Sequence, residues 1–171
     1  MTTFGPDRAR CAVFTFKEGL LSAIAHDLEI AVRTFELEVA DDGSSIVARF
    51  DPRSLEVVDA IVDGRRSPGT LKPKDKETIR GNIAKDVLRV ARHPSMIEFR
   101  STEVTPSQVR GELTLVGRTR SIVVRIHEEG DERIAEATLH QPDFGITPYS
   151  AMLGTLKIKP DVKVVVRAPK A

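Results

Sequence analysis

Apolar and polar residues alternate with a period of two along most of the chain, the pattern of half-buried β-strands. The clearest case is the stretch 154–167, where Leu156, Ile158, Val162, Val164 and Val166 share one face while Lys157, Lys159, Asp161, Lys163 and Arg167 share the other. Pro160 falls on the apolar phase and removes one ladder donor, so an edge, bulge or bend is expected there. A second long strand is predicted over 27–40, with Leu28, Ile30 and Val32 followed by Phe35, Leu37 and Val39. The phase slips by one residue between Val32 and Phe35, and one extra residue is what a β-bulge inserts when a sheet curves.

Shorter strands follow the same rule. Arg10 to Lys17 puts Ala12, Phe14 and Phe16 on one face, and Ser45 to Phe50 groups Ile46, Ala48 and Phe50. Met96 to Val104 and Gln108 to Val116 flank Thr105-Pro106-Ser107, a hairpin connection. Arg120 to His127 and Arg133 to His140 complete a set of about eight strands, which implies an up-and-down antiparallel barrel or a sandwich. One segment differs: Ile79, Ile83, Val87 and Val90 step by four, four and three, which predicts a helix over 75–92. Asp75 is the expected N-cap, His93-Pro94 the stop, and Gly81 a weak point costing up to about 1 kcal/mol relative to Ala. The stretch 63–69, without an apolar side chain, is expected to be an exposed, mobile loop.

The length of 171 residues fits one domain, expected to span 1–171. Lys and Arg number 26 against 25 Asp and Glu, for a net charge of +1. That balance argues against nucleic acid, whose phosphates call for a basic excess gathered on one face. The aromatic complement of seven Phe, one Tyr and no Trp also lacks the exposed stacking residues of a nucleic-acid platform. The single cysteine, Cys11, excludes an internal disulfide framework and a Cys-rich zinc site, and reads as a lone buried thiol. No apolar run approaches the roughly 18 residues of a spanning helix. Pro6, Asp7, Arg8 and Arg10 occupy the place of a secretory signal's apolar stretch, so a cytoplasmic location is expected.

Catalytic signatures are scarce: there is no G-x-S-x-G elbow, glycine-rich phosphate loop or H-E-x-x-H helix. The expectation is a protein that is not an enzyme and carries neither a metal nor a cofactor. His93, His127 and His140 read as punctuation or exposed strand-end residues. His26, at the mouth of a strand, has two readings: a locally hydrogen-bonded histidine, or a polar group holding a ligand's head at the end of an apolar cavity. Arg65, Arg66, Lys72, Lys74 and Lys76 form a basic stretch that reads as solvated surface, with phosphate recognition as its reserve role.

Four ordered segments then resemble one family. They are Ser22-Ala23-Ile24-Ala25-His26-Asp27 with Phe35-Glu36-Leu37-Glu38-Val39; His93 to Ser101; Val109-Arg110-Gly111-Glu112-Leu113-Thr114-Leu115-Val116-Gly117-Arg118-Thr119; and Asp143-Phe144-Gly145-Ile146. Together they resemble the YceI-like proteins, bacterial polyisoprenoid-binding proteins with a lipocalin-like barrel. The resemblance implies a mainly β, antiparallel eight-stranded barrel with one or two short helices covering an end. It implies binding, storage or transport of a long isoprenoid or similar amphipathic lipid in an apolar tunnel, without catalysis. The tunnel residues expected on this basis are Phe14, Phe16, Ile30, Val32, Phe35, Phe99, Leu113, Leu115, Phe144, Leu156, Ile158 and Val164, with His26 and Asp27 toward the head group. Two alternatives stand beside it: a structural or stress-related barrel with a filled interior acting through its surface, and a haem, metal or redox protein using His26. Exposed strand edges make a homodimer the preferred assembly.

Overall fold

The computed structural model describes residues 1–18, 25–154 and 156–170. The elements in chain order are β1 (Thr2–Phe4), β2 (Arg10–Thr15), β3 (Asp27–Val32), β4 (Phe35–Val39), β5 (Ile46–Phe50), β6 (Leu55–Val62), β7 (Arg65–Ser67), α1 (Pro73–Asn82), a π turn (Ile83–Val87), β8 (Ile97–Val104), β9 (Gln108–Leu115), β10 (Arg118–Glu129), β11 (Glu132–His140), a 3-10 turn (Gln141–Phe144), β12 (Ser150–Ala151), β13 (Leu156–Lys157) and β14 (Asp161–Pro169). All pairings are antiparallel, and the strand order is β1-β4-β5-β8-β9-β10-β11-β14-β2-β3-β6-β7, with β12 and β13 as a separate small hairpin. The architecture is a mainly β, antiparallel barrel, the one of the two forms left open by the alternation that the family resemblance implies.

The ends of that order meet through two bent strands. β3 and β4 are one strand interrupted at Arg33-Thr34, and β5 and β6 are one strand interrupted over 51–54. β3 pairs with β6 and with β2, whereas β4 pairs with β5, which in turn pairs with β8. With each bent strand counted once, the ladder closes into a ring: β2, β3–β4, β5–β6, β8, β9, β10, β11 and β14. The Arg33 N–H donates to the Ser54 carbonyl and the Asp51 N–H to the Thr34 carbonyl, each at 3.0 Å, so the bends stay hydrogen-bonded to each other. The phase slip between Val32 and Phe35 marks this corner. β6, which the alternation did not reveal, is the second half of the strand begun by β5.

Three local expectations are corrected. The helix begins at Pro73 with Lys72 as its N-cap, not Asp75; the Asp75 carboxylate accepts the Lys72 N–H at 2.9 Å from the third helical position. The regular helix ends at Asn82, passes into the π turn, and is over before Arg89, whose φ is 48°. The stretch 63–69 is not simply a loop. Asp63 and Gly64, with φ of 51° and 74°, form the tight turn of a hairpin that pairs Arg65–Ser67 with β6.

α1 and the π turn lie at the end of the barrel where β3 and β14 begin. Leu88 is buried there with Phe99, Leu113, Leu115, Phe144 and Ile146, and Ile83, Val87 and Val90 pack against this core. β10 pairs with β11 only from Arg125/Glu136 to Glu129/Glu132, so the two strands part toward this end. Phe144, 2% exposed, packs into the core beside that parting.

Candidate functional site

The inward faces of the strands do not meet in the middle. They enclose a cavity of about 770 Å³, lined by Cys11, Val13 and Thr15 of β2, Leu28, Ile30 and Val32 of β3, Ile122, Val124 and Ile126 of β10, and Val162, Val164 and Val166 of β14, among others. The β10 and β14 members are only half-buried although they point into the barrel, because they border open space rather than other side chains. The filled-barrel alternative does not describe this interior. The volume lies within the range of small-molecule sites, roughly 300–1,000 Å³.

The hollow is long as well as wide. Phe14 pairs with Lys163, which sets the next residue, Thr15, level with Val162, itself paired with Leu139 of β11. Arg133, at the other end of β11, also lines the cavity. The strand rise over that run, about 3.4 Å per residue, makes the tunnel roughly 20 Å long.

Its polar lining is sparse and unevenly placed. Toward α1 lie Thr15, His26, Thr70, Asp75, Thr78, Asn82, Gln141 and Tyr149. The Asn82 side-chain amide donates to the Tyr149 hydroxyl at 3.1 Å, and the Gln141 side-chain amide donates to the Lys159 carbonyl at 3.1 Å. Thr15 Oγ1 is buried and has no hydrogen-bond partner among the described residues. At the far end Arg133 faces Glu128 at 3.6 Å. Among the described residues it is the one Lys or Arg side chain that lines the cavity. Burial pushes the Cys11 thiol up to about 12, so this cavity-lining group is a neutral thiol.

Of the sequence-derived tunnel residues, Ile30, Val32, Phe99, Leu113, Leu115, Phe144, Leu156, Ile158 and Val164 line the cavity, as does His26. Phe14, Phe16, Phe35 and Asp27 do not. Both phases of β2 are apolar, so its own sequence cannot choose between them. Its neighbour chooses: Val13 pairs with Val164 and Cys11 with Val166, which turns Phe14 outward between Lys163 and Glu29. Phe35 is buried, but in a second small core with Phe4, Ala9, Cys11 and Val32. The Asp27 carboxylate accepts the Lys17 N–H at 2.7 Å and ties the end of β3 to the segment after β2. Ser22, Ala23 and Ile24 of the first motif lie outside the described residues. Thr15, Asn82 and Tyr149 were missed, since isolated polar residues carry no periodic signal.

The basic stretch stays off the cavity. Arg66 pairs with Glu29 at 2.6 Å and Lys76 with Asp59 at 3.2 Å. His127 and His140 are engaged by Glu129 and Asp161 at 3.3 and 2.6 Å. Among the described residues no group of three His, Cys, Asp or Glu side chains is placed to hold a metal ion. No helix among them is long and apolar enough to cross a membrane.

The glycines of the motifs have structural reasons. Gly145, with φ of 69°, ends the 3-10 turn so closely under Arg118 that a Cβ there would fall 2.8 Å from its Cζ. Gly117, with φ of 73°, turns β9 into β10 against the His93 ring. These constraints tie the sequence motifs to the closing of one barrel end.

Comparison with known proteins reaches the same place. BcnA of Burkholderia cenocepacia has a similar structure, with a TM-score of 0.59 at 14% identity over 95% of this chain and 96% of that one. The YCEI protein of Campylobacter jejuni is similar with a TM-score of 0.54 at 10% identity, over 83% and 84% of the two chains. At such identities the likeness speaks for the fold alone. No curated protein sequence matches the chain. The YceI-like domain, however, matches residues 9–169. With the closed barrel, its apolar hollow and the motif glycines at their posts, the chain belongs to the YceI-like family.

Proposed function

We propose that the protein binds a long-chain amphipathic lipid of the polyisoprenoid type and holds or carries it without transforming it. The observation that carries this reading is the apolar hollow of about 770 Å³, bounded by half-buried aliphatic side chains. Each CH₂ moved from water into such a space contributes about 0.8 kcal/mol, so ten contribute roughly 8 kcal/mol before the costs of association. Affinity of this kind needs no charged anchor, and the tunnel lining contains few polar groups. The family's polyisoprenoid-binding character supports the same ligand class.

The test is native mass spectrometry of the purified protein followed by organic extraction and lipid identification. A co-purifying isoprenoid at near-stoichiometric amount supports the proposal. A lipid-free protein whose mass is not shifted by added isoprenoid alcohols contradicts it.

A further inference from the structure

Charge is distributed unevenly along the barrel axis. Residues 72–92, which carry α1 and the π turn, contain seven Lys and Arg against three Asp and Glu, a net +4 in a chain whose total is +1. Lys76 pairs with Asp59 at 3.2 Å and Arg80 with Glu77 at 3.3 Å. Lys72, Lys74, Lys85 and Arg92 are exposed and have no carboxylate partner among the described residues. The segments bordering this end, 17–27, 62–66, 117–120 and 140–161, hold seven Lys and Arg against five Asp and Glu, so they do not reverse the sign. At the opposite end Asp41 and Asp42 occupy the β4–β5 turn, and Glu128, Glu129, Asp131 and Glu132 surround the β10–β11 turn. The cations there are engaged: Arg133 and Lys170 by Glu128, and Arg167 by Glu129. An anionic surface therefore draws the α1 end toward itself.

The same end presents a bare apolar tip. Leu153, between β12 and β13, is fully exposed and has a φ of 57°. A turn position of positive φ suits glycine or asparagine, and a leucine held there in water gains nothing from packing. The hairpin borders the tunnel: Tyr149, Leu156 and Ile158 line it, and the Tyr149 hydroxyl accepts from the Asn82 amide of α1 at 3.1 Å. Lys157 and Lys159 flank the tip, and residues 144–160 contain no acid. Val62, also exposed, precedes the Asp63-Gly64 turn of a second hairpin at this end.

We propose that the α1 end docks on an anionic phospholipid surface, with Lys72, Lys74, Lys85 and Arg92 meeting the head groups and Leu153 entering the interface. The docking stands on charge and exposure. Its use, passing a lipid between the bilayer and the tunnel, rests on the lipid-binding reading above. Each cation near such a surface strengthens binding by about fivefold, and the effect fades within a Debye length.

The test is sedimentation with vesicles of phosphatidylcholine alone or with about 30% phosphatidylglycerol. The wild type is expected to bind the anionic vesicles at least about tenfold more tightly, and high salt should remove the difference. Lys74→Gln/Lys85→Gln/Arg92→Gln should lose about tenfold or more, whereas the charge-matched Arg10→Gln/Arg110→Gln/Lys170→Gln, at the other end, should stay within about twofold of the wild type. The chain has no tryptophan, so Leu153→Trp supplies a single reporter whose emission should shift to the blue on anionic vesicles. Equal binding to both vesicle types, no binding to either, equal losses from the two triple variants, or an indole emission that does not move overturns the proposal. So does an indole already blue-shifted without vesicles in proportion to protein concentration, which assigns the tip to a second copy of this chain. Binding of phytanol, a saturated isoprenoid alcohol, to the vesicle-free protein tests the tunnel reading separately.

Discussion

Gly111 lies directly beneath the Phe99 ring: a Cβ on it would fall 2.4 Å from Phe99 Cζ and 2.4 Å from the Arg100 carbonyl oxygen. The two residues are diagonal neighbours across β8 and β9, where Phe99 pairs with Leu113 and Gly111 with Ser101. The glycine is what lets an aromatic ring lie flat against the barrel wall, leaving the tunnel beside it open. Gly111→Ala should therefore force the ring or the strand to move and cost about 1–3 kcal/mol, the range for overpacking a core. Urea denaturation checks this. A midpoint equal to that of the wild type would mean the ring has room to swing elsewhere.

Cys11 is 4% exposed and lines the tunnel, and its thiol is held neutral by burial. Thiolate, not thiol, is the nucleophile. Labelling by iodoacetamide at pH 8 should thus be far slower in the native protein than in urea. A bound lipid should slow it further by occupying the space a reagent would cross. Because the folded value is raised, the proton bound in the native state is lost earlier on unfolding, and stability should fall as pH rises from 9.0 toward about 12. Cys11→Ala or Cys11→Val should flatten that alkaline limb in a pH series of thermal unfolding.

Acid acts through a different set of groups. The Glu128 carboxyl is held below its usual range by hydrogen bonding to Lys170, that of Glu129 by Arg167, and that of Glu98 by Arg100. A depressed folded value means the stabilisation is present above 4.5 and is lost as pH falls through the folded values. Thermal unfolding should show a stability plateau at neutral pH and a decline below about pH 4.5. These groups are on the surface, so added salt should shrink the effect. A decline already complete at pH 6 would point to other groups.

Much of the barrel was legible because β14, β9 and β10 each have one charged and one apolar phase. Lys163 opposite Val164, or Glu112 beside Leu113, leaves no choice of face. The slip between Val32 and Phe35 likewise announced the corner that joins β3 to β4. β2 was misread because Cys11 and Val13 are as apolar as Ala12 and Phe14, and only pairing with β14 decides between them. The helix start was misplaced by the appeal of Asp75 as a cap, whereas Lys72-Pro73 supplies the start and Asp75 closes the capping box from within. The hollow itself had no sequence signature, since a filled and an empty barrel present the same aliphatic residues inward.

The central claim is that the empty interior is the binding site. Val124 and Val164 are half-buried residues of β10 and β14 whose side chains border the hollow. Enlarging them adds apolar volume where there is space, so the double variant Val124→Phe/Val164→Phe should fold with a stability at or above that of the wild type. The decisive measurement is a native mass-spectrometric titration of delipidated wild type and this double variant with phytanol. The account predicts a one-to-one complex for the wild type and loss of at least tenfold in affinity for the folded variant. A folded variant that binds phytanol as tightly as the wild type would contradict it, by placing the lipid somewhere other than the tunnel.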